Sequence, residues 1–179
     1  MYLGFVISST AASSRDNFNA MKKIITNVIE GYGKERIRYS VIVFGDIPKV
    51  KLRFQDLFGK EDDMKTFVSG ITNTPRGSAL DKALEKARMQ FSQDFGEETK
   101  KILVLITDKR SDSTTKSVEM AAKSLANDGI KVIPIAFGTE ADTSEIGLTT
   151  EDRRNIIDAI NPPNTNHIAD KIMDIAITG

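Results

Sequence analysis

The sequence predicts an α/β fold, a doubly wound, Rossmann-like sandwich with a mostly parallel six-stranded sheet, one antiparallel edge strand and helices on both faces. Short apolar runs alternate with longer helical patterns along the chain, which is typical of this class. Two of the runs are apolar throughout, as expected for strands buried on both faces. A third run alternates apolar with charged residues, which indicates a half-exposed edge strand. The chain of 179 residues fits a single domain over 1–179, because one core typically spans ~100–200 residues.

The predicted strands are, in order, Leu3–Ile7, Arg36–Phe44, Val50–Phe54, Lys101–Thr107, Lys131–Phe137 and a brief Asn166–Ala169. Leu3–Ile7 and Lys101–Thr107 are the two central strands. Val50–Phe54 follows Arg36–Phe44 closely, so we expect a hairpin and hence the antiparallel edge. Pro134 removes one ladder donor, which places the fifth strand near an edge of the sheet.

The predicted helices follow apolar residues at helical spacing. They cover Asp16–Tyr32, Met64–Ile71, Leu80–Phe91, Ser113–Asn127, Glu151–Ile160 and a C-terminal stretch through Ile172, Ile175 and Ala176. Gly33 and Gly129 follow the first and fourth of these, where glycine commonly ends a helix.

The composition excludes several classes of function. The chain has 25 basic residues (Lys and Arg) and 25 acidic residues (Asp and Glu). It therefore has no excess of positive charge that would favour binding to nucleic acid or to an anionic membrane. No apolar run approaches the ~20 residues that span a bilayer. The absence of cysteine removes disulfides, thiol nucleophiles and Cys-based zinc sites. The single His167 excludes a two-histidine metal site and argues against a Ser–His–Asp triad, so the sequence favours a binding module over an enzyme.

Three polar loops are predicted to meet at the carboxyl edge of the sheet, where open parallel sheets bind ligands. They are Ser8–Ser14, Thr72–Gly77 and Asp108–Asp112, and all are rich in hydroxyls or carboxylates. None of them carries a phosphate-binding glycine motif, so nucleotide binding has no support.

Five segments, in the right order across nearly the whole chain, resemble the von Willebrand factor type A domain, the module shared with integrin I domains. They are Phe5–Phe18, Tyr39–Asp46, Thr72–Leu80, Lys101–Asp108 and Gly129–Gly138. The resemblance implies the same doubly wound fold. It also implies a metal-ion-dependent adhesion site (MIDAS), in which Mg²⁺ or Mn²⁺ bridges the domain to a carboxylate of its ligand.

The first loop of that family's ion site reads Asp-x-Ser-x-Ser, and the next two loops supply a threonine and an aspartate. In this chain Thr72 and Asp108 match the pattern, and Thr10 replaces the first serine. Ser8 stands in place of the first aspartate and Ala12 in place of the second serine. One direct ligand and one of two carboxylates are therefore missing.

Lys109 follows Asp108 where the family usually has glycine, and its ammonium would oppose a divalent cation. The resemblance therefore implies a degenerate ion site with no cofactor; if Mg²⁺ or Mn²⁺ binds, its ligands are Thr10, Thr72 and Asp108. The expected ligand-binding face comprises Ser8, Thr10, Ala12, Thr72, Arg76, Asp108 and Lys109.

Each of these residues also has a structural interpretation. The serines after Ser8 suit a polar turn that caps the first helix. Asp108 suits a strand-end acid that is either solvated or paired with Lys109 or Arg110. Arg76 either contacts an acidic partner or is simply solvated. The acidic segment 139–145 either attracts a basic partner or Ca²⁺, or is a solvated loop.

The sequence and the resemblance together predict a non-enzymatic module for protein–protein recognition or adhesion. We expect it to be one domain of a larger extracellular matrix, adhesion or surface protein that binds a protein ligand. One alternative is an intracellular type A domain acting as a subunit of a larger complex, so a cytoplasmic location stays open. The other is a hydrolase on a similar sheet, which lacks a Gly-x-Ser-x-Gly nucleophile elbow here.

Overall fold

Six strands form one sheet in the order β3-β2-β1-β4-β5-β6 in the computed structural model, which describes residues 1–9, 15–33, 36–73, 76–93, 98–161 and 164–179. The strands are β1 Tyr2–Ser8, β2 Arg38–Phe44, β3 Pro48–Leu52, β4 Lys101–Thr107, β5 Ile130–Phe137 and β6 Ile157–Ala159. Neighbouring strands are parallel, except that β3 runs antiparallel to β2. This confirms the predicted mostly parallel sheet with one antiparallel edge.

Helices cover both faces of the sheet. They are α1 Arg15–Tyr32, α2 Glu61–Ser69, α3 Leu80–Phe91, α4 Thr115–Asn127, the short α5 Thr143–Gly147 and α6 Thr165–Thr178. The buried side chains of α1, α2 and α6 form one core cluster, and those of α3 and α4 form a second. Phe5 and Ile7 of β1 join the first cluster and Val6 joins the second, because successive strand residues point to opposite faces.

A glycine at the centre of the sheet allows close packing of α3. A Cβ on Gly4 would lie 3.0 Å from Cζ of Phe91. Phe91 is buried and packs against Phe54, whose ring centroid lies 4.8 Å away. The aromatic residue therefore occupies the space that a side chain on β1 would need.

The strand order reverses between β1 and β4, which are adjacent and parallel. Ile7 is in register with Ile106, so Ser8 and Asp108 reach the carboxyl edge beside each other. This switch point is where doubly wound sheets usually place a ligand. The fold therefore brings residues from opposite halves of the sequence to one place.

The hairpin at the sheet edge differs in its boundaries from the prediction. β2 begins at Arg38 because Arg36 has a φ of +55°, outside the extended region. β3 covers Pro48–Leu52, and Phe54 lies beyond its end, buried against the ring of Tyr2 at 5.2 Å. Phe54, the last apolar residue of the predicted strand, thus belongs to the turn after β3 and packs into the core from there.

The prediction for the last third of the chain was wrong in two places. Residues 151–160 form no α-helix: a three-residue 3-10 helix at Arg153–Asn155 leads into β6. Residues 166–169 form no strand, because the side chain of Asn164 accepts hydrogen bonds from the backbone N–H groups of Asn166 and His167 and starts α6. β6 has three residues, which is too short for its alternation to stand out from the sequence.

Two smaller differences concern the helices. Phe67 was expected on the buried face of α2, where Met64 and Val68 are indeed buried, yet its side chain is 43% exposed. α4 begins at Thr115 because the hydroxyl of Thr114 accepts a hydrogen bond of 3.2 Å from the backbone of Ser117. Among the described residues, every helix is too short or too polar to cross a membrane.

Candidate functional site

The end of β1 and the residue after β4 meet at the carboxyl edge of the sheet. Oγ of Ser8 donates a hydrogen bond of 3.0 Å to Oδ1 of Asp108, and both residues are only 2% exposed. Nδ2 of Asn17, in the first turn of α1, donates one of 3.2 Å to Oδ2 of Asp108. Each oxygen of the buried carboxylate therefore faces a hydrogen-bond donor.

The second predicted loop lies against the end of β1. The hydroxyl of Ser9 donates to the side-chain carbonyl of Asn73, and the backbone N–H of Ser9 donates to the carbonyl of Phe44 at 2.8 Å. Thr72, beside Asn73, is exposed. Thr10 and Ala12 lie outside the described residues.

Arg76 is placed at the same edge by contacts with the end of β2. Its carbonyl accepts a hydrogen bond of 2.5 Å from the backbone of Asp46. Gly77 has a φ of +61°, and a Cβ on it would lie 2.7 Å from Cβ of Asp46. The turn therefore requires glycine, and it leaves the side chain of Arg76 exposed.

The third predicted loop is tied to the second by a reciprocal pair. The backbone N–H of Ser78 donates to Oδ2 of Asp112, and the N–H of Asp112 donates to the carbonyl of Ser78, both at 2.8 Å. The described parts of the three loops thus lie side by side at this edge.

The cations that follow Asp108 are engaged with the acidic segment after β5. Lys109 forms an ion pair with Glu140 at 2.6 Å, and Arg110 forms one with Asp142 at 3.1 Å. The expectation that Asp108 itself pairs with Lys109 or Arg110 was therefore wrong. Its partners include a hydroxyl and an amide instead.

Glu145 makes the third contact between the same two segments. Its carboxylate is 5% exposed and accepts hydrogen bonds from the backbone N–H of Ser111 at 2.8 Å and from the Ser111 hydroxyl at 2.7 Å. The solvated-loop interpretation of 139–145 was thus wrong for Glu145. Three acidic residues of the segment 139–145 therefore contact three consecutive residues that follow Asp108.

Asp142 also starts α5. Its carboxylate accepts from the backbone N–H groups of Glu145 and Ser144, each at 3.0 Å. The bond from Glu145, then that from Ser144 and the charge of Arg110, hold the pKa of Asp142 below its ordinary value. Helix capping and the ion pair therefore stabilise the same ionised group.

Sequence reasoning missed the residues that complete this edge. Asn17 carries no periodic or motif signal, Asn73 was named only as part of the loop that begins at Thr72, and Glu145 only as part of the acidic segment 139–145. Within the described ranges, no three acidic or imidazole side chains gather as metal ligands would. The amide of Asn17 and the hydroxyl of Ser8 each donate a hydrogen bond to Asp108.

The fold is shared with known proteins. The family model of the von Willebrand factor type A domain matches residues 3–170. Over 153 residues the chain is 24% identical to the mouse collagen alpha-6(VI) chain, a match that covers 82% of this chain and 7% of that one. The chain thus spans a small part of the curated relative's length.

Solved structures agree on the fold. Proximal thread matrix protein 1 from the mussel byssus superposes with a TM-score of 0.84 at 20% identity, covering 98% of this chain and 45% of that one. Another structure of that protein has a zinc-occupied MIDAS motif, with a TM-score of 0.84, 19% identity and the same coverage. An aerotolerance-related membrane protein from Bacteroides fragilis gives 0.82 at 16% identity over 98% of both chains. Since the family model spans nearly the whole sequence, this chain belongs to the von Willebrand factor type A domain family.

Proposed function

We propose that this chain is a non-enzymatic protein-recognition module that binds its protein ligand without a bridging metal ion. The observation that carries the proposal is the buried hydrogen bond from Ser8 to Asp108. The proposed binding face is the set Ser8, Thr10, Ala12, Thr72, Arg76, Asp108 and Lys109.

Charge explains why the exchange of aspartate for serine matters. Two carboxylates at the distance of Ser8 and Asp108 would repel each other, and a cation between them would be needed to keep both ionised. The hydroxyl of Ser8 instead donates a hydrogen bond, so the carboxylate of Asp108 has a hydrogen-bond partner within the protein. This pair offers one carboxylate where two would be needed to balance a divalent cation, so it attracts Mg²⁺, which takes about six oxygen ligands at ~2.0–2.1 Å, only weakly.

In this proposal the protein ligand is recognised by exposed side chains at the carboxyl edge of the sheet. Thr72 and Arg76 are exposed at this edge, whereas Ser8 and Asp108 are buried below it. An arginine fork binds carboxylates in a bidentate manner, so Arg76 suits an acidic group on the partner. The same acidic group that would bind a metal elsewhere in the family would here meet a guanidinium.

The relatives support an extracellular or cell-surface setting within a longer chain. A mouse collagen chain and a mussel byssal thread matrix protein are similar to this domain, and each is longer than the part it shares. The alternative is an intracellular type A domain acting as a subunit of a larger complex, and the likeness to a B. fragilis membrane protein shows that the same fold occurs outside matrix proteins. Detection of the tagged full-length protein on unpermeabilised cells or in the medium decides between the two settings.

The metal-free mechanism is tested by melting and by calorimetry. We expect millimolar Mg²⁺ or Mn²⁺ to leave the melting temperature of the parent unchanged, whereas site-specific binding at ~100 times the dissociation constant would add ~2.7 kcal/mol. An EDTA-reversible rise in melting temperature that Asp108→Ala abolishes would contradict the proposal.

A repaired site provides the positive control. Ser8→Asp, Ala12→Ser and Lys109→Gly together restore the family's pattern facing Thr72 and Asp108. We expect this triple variant to bind Mg²⁺ or Mn²⁺ in calorimetry while the parent shows no binding heat. A folded triple variant that binds neither ion would show that these loops do not form the ion site of the family.

A further inference from the structure

A groove with positively charged walls runs along the free edge of the sheet. It lies between β3 and α3 and encloses about 540 Å³. Four cations line it, Lys49, Lys51, Arg53 and Lys86, and no carboxylate of a described residue does. Considering the described parts of the chain, none of these four forms an ion pair with a carboxylate within 4.0 Å.

This concentration of charge is unusual for a chain with no net charge. The sequence has 25 basic and 25 acidic residues. Five other cations of the described surface are held by carboxylates, namely Lys65, Arg88, Lys109, Arg110 and Arg154. Other exposed cations, such as Lys23 and Lys116, also have no ion pair among the described residues, but they lie apart from each other on α1 and α4. Because four cations line one groove and none is paired with a carboxylate of a described residue, their fields add up and favour an anionic ligand.

An irregularity in β3 shapes one wall of the groove. Val50 is paired with Ile42 and Leu52 with Val41, so Lys51 is an extra residue without a partner in β2. Such a bulge bends an edge strand and interrupts its pairing. Together with Pro48 and the charged side chains, it opposes the addition of a further strand.

The uncharged residues that line the groove suit a peptide ligand. Gln90 and Gln93, which line the groove on the side of α3, carry amides that both donate and accept hydrogen bonds, as peptide groups require. Pro48 and Val50 add apolar surface. A ligand with backbone amides, small apolar side chains and carboxylates would use all of these groups, whereas a sulfated sugar would use mainly the cations.

We propose that this groove binds an extended acidic peptide segment of a protein partner, held by side chains and not as an added strand. The cations bind its carboxylates, and the two glutamines bind its backbone. This surface lies lateral to the face around Asp108, so its failure would leave the function proposed above untouched.

The experiment measures the fluorescence anisotropy of a labelled peptide of Glu, Asp, Ala and Ser with the whole chain at low salt. The test variant is Lys51→Glu with Lys86→Glu. The matched control, Lys23→Glu with Lys116→Glu, makes the same change in net charge at exposed lysines of α1 and α4. We expect the test variant to weaken binding about tenfold or more, and the control to change it less than about twofold.

Several outcomes would overturn the proposal. Equal weakening by both double variants would mean that the peptide senses only net charge. Equal affinity for a peptide with Gln and Asn in place of Glu and Asp would mean that the cations are not used. Binding of a sulfated polysaccharide with the same dependence on Lys51 and Lys86, when the acidic peptide does not bind, would assign the groove to a glycan. If the test variant melts early, Lys51→Gln with Lys86→Gln is used in its place, with an expected loss in the same direction.

Discussion

The hydroxyl of Ser8 donates a 3.0 Å hydrogen bond to the carboxylate of Asp108, joining two residues that lie 100 positions apart in the chain. Both are buried at the point where adjacent parallel strands end. The proposed metal-free binding rests on this pair, in which a hydroxyl donor faces the carboxylate and no second acid does.

Replacing Ser8 with alanine should destabilise the domain by about 1–3 kcal/mol, because one oxygen of the buried Asp108 carboxylate loses a donor. Urea unfolding of parent and variant measures this difference. Ser92→Ala is the matched control: its exposed hydroxyl bonds to the carbonyl of Met89, and its loss should cost at most about 0.5 kcal/mol. Equal costs at the two positions would show that the bond to Asp108 is not a stabilising contact.

Glu145→Gln should also cost about 1–3 kcal/mol, because an amide offers one acceptor oxygen where the N–H and hydroxyl of Ser111 now find two. Thermal melting of the variant measures the loss. Glu140→Gln is the comparison, because its ion pair with Lys109 is largely exposed and should contribute about 0–1 kcal/mol. A smaller effect at Glu145 than at Glu140 would contradict the structural role given to the buried acid.

Gly77→Ala should destabilise the domain more than Gly129→Ala. Both glycines have positive φ, +61° and +70°, so alanine at either costs about 1–2 kcal/mol of backbone strain. At Gly77 the new Cβ would also lie 3.0 Å from Cα of Asp46, whereas nothing lies within 4 Å at Gly129. Denaturant midpoints for the two variants test this order, and an equal loss would mean that the turn after Arg76 adjusts freely.

Asp142 should make folding stability depend on acidic pH. Its pKa is lowered in the folded protein, first by the backbone N–H of Glu145, so its contribution is fully present above the ordinary value near 3.8 and is lost as the pH falls through the lowered value. Asp142→Asn keeps a capping acceptor but cannot ionise. The stability advantage of the parent over this variant should therefore shrink between about pH 5 and about pH 2, as measured by urea unfolding. A difference that stays constant over this range would contradict the assignment.

The sequence by itself determined the fold class, most of the elements and the edge at which the loops meet. β4 and α3 have the predicted bounds because continuous apolar runs and helical spacing are local signals of burial. Pro134 lies in β5, one strand from the edge, since its missing N–H is tolerated where pairing with β6 has not begun. The short β6 and the start of α6 could not be predicted, because three residues show no clear period and one capping side chain outweighs the pattern around it.

The tertiary structure alone decided which polar groups meet at that edge. Asn17 lies in the helix that follows β1 and hydrogen-bonds to Asp108, which follows β4. Glu145 follows β5 and accepts a hydrogen bond from Ser111. Hydrogen bonds and ion pairs between such distant residues depend on how strands and helices are stacked, and no spacing along the chain encodes them. The same holds for the groove beside β3. Its lysines form no motif in the sequence, and they line one groove only because α3 lies next to the edge strand.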